Sequence, residues 1–139
     1  MKALKLPASG VLATVVAGFF FVTLFAGTAQ ADADQPSAAV QQMATIMHRL
    51  KHFPSPQGKQ ELQAIVDAAD SRANERVMAR AMLNLQHRAM DDDKAGLKRI
   101  MDDSSAPANE RELAAIIHHL DHRPSHADKQ KLQGMMKAK

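Results

Sequence analysis

The sequence predicts an all-α protein: three tandem 35-residue helical hairpins, about six helices, stacked as a short solenoid or a compact bundle after an N-terminal signal helix. Three observations carry this. From residue 43 onward the chain aligns with itself twice at an offset of 35, without gaps. Within each copy, apolar residues recur at the i, i+3, i+4, i+7 spacing of one buried helical stripe. The first 31 residues have the build of an export signal, and nothing after them alternates like a strand.

The N-terminal segment opens with Lys2 and Lys5 and continues as an apolar run over residues 11–27. It ends in Thr28-Ala29-Gln30-Ala31, small residues at the cleavage positions, so a cut after Ala31 is expected, with Ala33 as the second choice. The run is long for a signal core and short for a relaxed membrane span. A membrane role follows only if the segment stays uncleaved. The chain has no cysteine, which excludes a lipid-anchored cysteine and a disulfide framework. The expected divisions are a signal peptide at 1–31, a lead-in at 32–42 and a helical domain at 43–139. Its units are 43–77, 78–112 and 113–139.

The first two units agree at 13 of 35 positions, and the first and third at 12 of the 27 available. Chance would give about two in each comparison, so the repeat is a strong signal. Five columns are identical in all three: Ala44/Ala79/Ala114, Leu50/Leu85/Leu120, His52/His87/His122, Lys59/Lys94/Lys129 and Leu62/Leu97/Leu132. The Trp, Gly, Tyr and Pro positions of the tetratricopeptide pattern are absent.

Each unit reads as helix A followed by helix B. Met43, Ile46, Met47 and Leu50 form the A stripe of unit one, and Leu113, Ile116, Ile117 and Leu120 that of unit three. Leu62, Ile65, Val66 and Ala69, then Leu97, Ile100 and Met101, then Leu132, Met135 and Met136 form the B stripes. Ser55-Pro56 reads as an N-cap with proline at the first helical position. Ser125 with Asp128 reads as a capping box. The corresponding serine position in unit two holds Met90, so Asp91 is the expected cap there. Ser71 or Asn74 opens the helix that follows. One hairpin cannot bury its stripe alone, whereas three stacked hairpins share a continuous core.

Composition removes several function classes. Of 18 Lys and Arg, two leave with the signal; 16 then face 15 acids. That balance gives no concentrated basic patch for a phosphate backbone, so nucleic acid is not an expected partner. Phe53 is the only aromatic after the signal, which argues against stacking platforms and aromatic-anchored interfaces. No cysteine nucleophile, strand–turn–helix serine motif, Gly-rich phosphate loop or cofactor fingerprint is present, so no enzyme activity is expected.

Histidine is the first candidate for chemistry. Helical spacing puts His48 and His52, and likewise His118 and His122, on the face opposite the apolar stripe. Such i, i+4 pairs supply two imidazoles to one Zn or Cu ion, with His119 and His126 as further ligands near the second pair. The candidate metal set is therefore His48, His52, His118, His119, His122 and His126. The structural reading of the shared column is different: His52, His87 and His122 fall at the end of helix A, where imidazole caps free carbonyls and meets the helix dipole. Seven histidines also move the net charge from +1 toward +8 as pH falls to about 5, an acid-responsive role. The methionines mostly share columns with aliphatics and read as core. Asp91-Asp92-Asp93 lacks calcium-loop spacing and reads as the start of a helix.

The expected function is that of an exported, non-enzymatic helical-repeat protein, periplasmic or secreted, that binds a protein partner in the cell envelope as an adaptor, chaperone-like protein, inhibitor or immunity protein. No cofactor is expected. The alternative is periplasmic Zn or Cu binding through the surface histidine pairs.

Overall fold

The computed structural model describes residues 35–137, so the expected signal peptide and its cleavage site lie outside the described residues. Six helices and no strand make up the described chain: α1 (Ala38–His48), α2 (Pro56–Asp67), α3 (Ala73–Leu83), α4 (Asp91–Asp102), α5 (Ala108–His118) and α6 (His126–Met136). None of them is long and apolar enough to cross a membrane.

The helix starts follow local chemistry. Ser37 caps α1 by accepting from the Val40 amide at 3.1 Å, and Ser55 caps α2 by accepting from the Gly58 amide at 3.1 Å. Pro56 stands at the first turn of α2, where no amide donor is needed. Ser125 and Asp128 form the expected capping box of α6: the Asp128 amide donates to Ser125 Oγ, and the Ser125 amide donates to Asp128 Oδ2. The other caps differ from expectation. The N-cap of α4 is Met90, not Asp91, so the three aspartates occupy the first turn and meet the positive end of the helix dipole. The N-cap of α3 is Arg72, neither Ser71 nor Asn74. α1 begins at Ala38, inside the expected lead-in, because Ser37 supplies a cap and Val40 a fully buried apolar contact.

The core is one continuous cluster. Helices α1, α3 and α5 each bury five residues and touch one another. Helices α2, α4 and α6 bury two or three each and clad that inner trio. The most extensive packing is α2 on α3, α4 on α5 and α6 on α1. Packing is thus closest between helix B of one unit and helix A of the next, and the last helix returns onto the first. A closed bundle results, not an open solenoid. Positions 35 apart have matching burial: Met43, Met78 and Leu113 are fully buried, as are Leu62, Leu97 and Leu132. At roughly 2 kcal/mol for each fully buried aliphatic side chain, this cluster is the main stabilising term of a chain without disulfides.

At the N-terminal ends of the inner helices, two carboxylates are buried with partners. Glu75 is 3 % exposed and accepts from the Ser37 hydroxyl and the Arg72 amide. Glu110 is 1 % exposed and accepts from Arg72 Nη1 at 2.8 Å and Asn74 Nδ2 at 3.0 Å. Both accept from the N-cap side chain of the preceding inner helix, Ser37 or Arg72. The difference has a covalent cause: the N-cap of α5 is Pro107, which has no N–H, so Glu110 lacks the backbone amide bond that Glu75 takes from Arg72. Val40 holds the same place in α1 and needs no partner.

Candidate functional site

The opposite pole, at the C-terminal ends of α1, α3 and α5, carries the histidines. The three helices end at His48, Leu83 and His118, and their C-caps are Arg49, Asn84 and His119. The shared histidine column therefore lies three residues past each cap, in a loop, and does not cap helix carbonyls as the helical reading expected. The backbone amides of the C-cap residues bond the last-turn carbonyls instead. For the same reason His48/His52 and His118/His122 are not pairs on a helix face: the first member closes the helix and the second has left it.

The three loops bring the column together. The ring centroids of His52 and His87 are 5.2 Å apart, those of His87 and His122 also 5.2 Å, and those of His52 and His122 6.1 Å. All three side chains are exposed. Two of them sit on unusual backbone: His87 has φ 68° and His122 has φ 62°, the left-handed region. Histidine is one of the few non-glycine residues enriched there, at a cost of about 1–2 kcal/mol relative to an ordinary conformation. The Arg123 amide donates to the Asp121 carbonyl at 2.7 Å, so His122 sits at the centre of a γ-turn-like bend. The His122 amide donates to the His87 carbonyl at 2.6 Å and ties the second and third loops together. His122 Nδ1 lies 2.6 Å from Asp121 Oδ1.

The sequence-selected ligands fall into different surroundings. His48 is half-buried, with Nε2 3.3 Å from Gln133 Nε2. It shares a cleft of about 640 Å³ with Arg49, Lys51, His52, His122, Arg123 and Lys129. His118 and His119 form a T-shaped ring pair at 4.6 Å in a separate cleft with Arg88, Lys94 and Asp121. His118 Nδ1 is buried without a hydrogen-bond partner. Burial, then the charges of His119, Lys94 and Lys98, push the His118 imidazole below its usual value. His126 opens α6 and is exposed. Among the described residues no group of three or more His, Asp or Glu side chains is arranged to hold a metal ion.

His87 was missed as a ligand because unit two has Leu83 where the others have His48 and His118, so it offered no i, i+4 pair. The available signal was the column itself, one imidazole at the same place in each unit. The lysine column has a place too: Lys129 and Lys94 each line the cleft beside the next inner helix, as Lys59 does beside α3 with Asp92 and Asp93. Lys94 pairs with Asp91 at 2.7 Å.

Beside the histidines lies an apolar feature. Phe53 is 59 % exposed, and its ring stands 6.4 Å from that of His87. It borders a cleft of about 530 Å³ lined by the apolar Ile46, Leu50, Pro54 and Pro56 and by the charged Arg49, Lys51 and Glu61, with His52 at the same cleft.

Comparison with known protein families, curated proteins and solved structures finds nothing that matches this chain.

Proposed function

We propose that the chain is an exported, non-enzymatic helical-repeat protein that binds another protein of the cell envelope through the pole where its three loops meet. In this reading residues 1–31 are a signal peptide, the protein is periplasmic or secreted, and the six helices are three copies of one 35-residue unit closed on themselves. The observation that carries the reading is Phe53, exposed beside a cleft lined by apolar residues and by Arg49, Lys51 and Glu61. Such a cleft suits an extended partner segment that inserts one apolar side chain and carries acidic residues beside it. Cationic side chains steer and select such segments, while the aromatic anchor supplies most of the affinity.

The rival reading places Zn or Cu on His48 and His52 and on His118, His119, His122 and His126. It has less support, because those side chains divide between separate clefts. A photo-crosslinker at position 53, used in the intact envelope, identifies the partner. The purified pair then gives the affinity. Phe53→Ala is expected to weaken binding at least about tenfold, and Lys51→Glu to weaken it and change its salt dependence, with helicity unchanged. If binding is indifferent to both changes, the proposed face is wrong.

A further inference from the structure

We propose a second, independent property: His52, His87 and His122 form a three-imidazole site for one borderline divalent transition metal, of the Zn(II) or Cu(II) class. The argument starts with spacing. A metal–nitrogen bond of about 2.0–2.1 Å puts the centre of each ring roughly 3.2 Å from the ion, and a tetrahedral angle then separates ring centres by about 5.2 Å. Two of the three separations are 5.2 Å, and the third, at 6.1 Å, needs a modest inward movement of His52. The rings are not arranged to hold an ion as they stand, but they are exposed, and side-chain torsions of exposed residues rotate freely on fast timescales. What the fold must supply is the placement of three Cα–Cβ vectors, and it does so with loops from three separate parts of the chain.

Two further observations point the same way. Asp121 Oδ1 lies 2.6 Å from His122 Nδ1. An ionised carboxylate only accepts, so in the neutral imidazole the proton sits on Nδ1 and Nε2 is the atom with the lone pair. A carboxylate fixing the tautomer of a ligating imidazole is the usual outer support of a metal-bound histidine, and it raises the basicity of the ligand. The second observation is the backbone. His87 and His122 both occupy the left-handed region, where glycine would be unstrained, and the strain is locked by the 2.6 Å bond between the two loops. Retaining an imidazole at a position that favours glycine, twice, is a structural cost with no packing return, since neither ring is buried.

The donor set decides the metal class. Three neutral nitrogens suit Zn(II), Cu(II), Ni(II) or Co(II), while Mg(II) and Ca(II) require oxygen. Cu(I) prefers sulfur, and the loops offer only Met90. Three protein ligands leave at least one coordination position open.

The test uses protein recovered from the envelope, stripped with chelator, and titrated calorimetrically with Zn(II) and spectroscopically with Co(II). One ion per chain is expected, with a Kd below about 10 µM and the visible absorption of a nitrogen-bound tetrahedral Co(II). His52→Ala and His87→Gly should each weaken binding about 100-fold or more, and Asp121→Asn by roughly 10–100-fold. His48→Ala and His126→Ala should leave it unchanged. His87→Gly guards against a folding artefact, because glycine suits the backbone there: the metal-free variant should melt at or above the parent temperature while losing the ion. Absence of a one-to-one ion, survival of binding in His87→Gly, or equal loss in His126→Ala overturns the site. Because His52 lines the Phe53 cleft and the Phe53 ring stands beside His87, partner binding is measured separately, and Phe53→Ala should leave the metal titration unchanged.

Discussion

Arg72, the N-cap of α3, reaches across to the next inner helix and donates from Nη1 to Glu110 at 2.8 Å, although the two residues are 38 apart in sequence. Glu110 is 1 % exposed, while the Arg72 side chain is 51 % exposed. The pair is therefore asymmetric: the carboxylate has given up water, and the guanidinium has not. Removing Arg72 takes the ionic partner from a buried charge and leaves it the Asn74 amide as a donor. Arg72→Ala is expected to cost about 1–3 kcal/mol, below the range for a fully buried pair because half of the arginine is solvated. Glu110→Gln, which keeps the shape and an acceptor, should cost less. Urea unfolding with unchanged m-values would measure both. The idea fails if Glu110→Gln proves the more damaging change.

The three leucines at 62, 97 and 132 are each fully buried on a different outer helix. Truncation to alanine should cost about 3 kcal/mol at each site, from the lost transfer energy and the cavity left behind. Closure of the bundle makes a sharper demand. Leu132 lies on the last helix and should cost as much as Leu97, within about 1 kcal/mol. A markedly smaller loss at Leu132 would mean that α6 detaches from α1 before the rest unfolds.

Met90 is the N-cap of α4, has no capping side-chain bond and is 41 % exposed. Ser55 and Ser125 hold the equivalent places and accept from the third residue of their helices. Met90→Ser should stabilise the fold by about 1 kcal/mol, and Ser55→Ala should destabilise it by a similar amount. Thermal melts of the two variants should move in opposite directions.

His118 carries the clearest pH consequence. Burial first, then His119, Lys94 and Lys98, hold its folded pKa below the unfolded value near 6.5. The unfolded chain then binds the proton more readily, so stability rises with pH across that interval. The contribution is whole above about pH 6.5 and is lost as pH falls toward the folded value. Leu83 stands at the corresponding position of unit two. His118→Leu should therefore be at least as stable as the parent at pH 7.5, and it should lose less stability on going to pH 5.5. Measurements in chelator keep metal linkage out of the comparison. Equal pH slopes for the two proteins would rule the assignment out.

The apolar stripes were legible because they repeat. Columns such as Leu62/Leu97/Leu132 are one-sided in the sequence and fully buried in the fold. The caps at Ser55 and Ser125 were legible because serine is a specific signal. The caps at Arg72, Met90 and Pro107 were not, since none offers a side-chain acceptor and each start is set by neighbouring packing. The ends of the inner helices misled for a related reason. The sequence signal for a left-handed residue after a helix is glycine or asparagine. Here histidine fills two such positions, His87 and His122, and the first loop carries no such residue at all, so helical spacing runs on through His52 and His122 and makes pairs that the loops dissolve. The meeting of the three imidazoles needed the tertiary arrangement, because no local spacing relates residues 35 apart.

The return of α6 onto α1 has a consequence for the covalent chain itself. The segments 68–72 and 103–107 join α2 to α3 and α4 to α5, five residues in each case. The pair α6 and α1 packs in the same way without a bond between them. Topologically the polypeptide is a circle severed at one of three like places. A peptide of about five residues joining the end of α6 to Ser37 would allow the cut to be moved to 104/105 or 70/71, and circularly permuted chains opened there should refold to the same core.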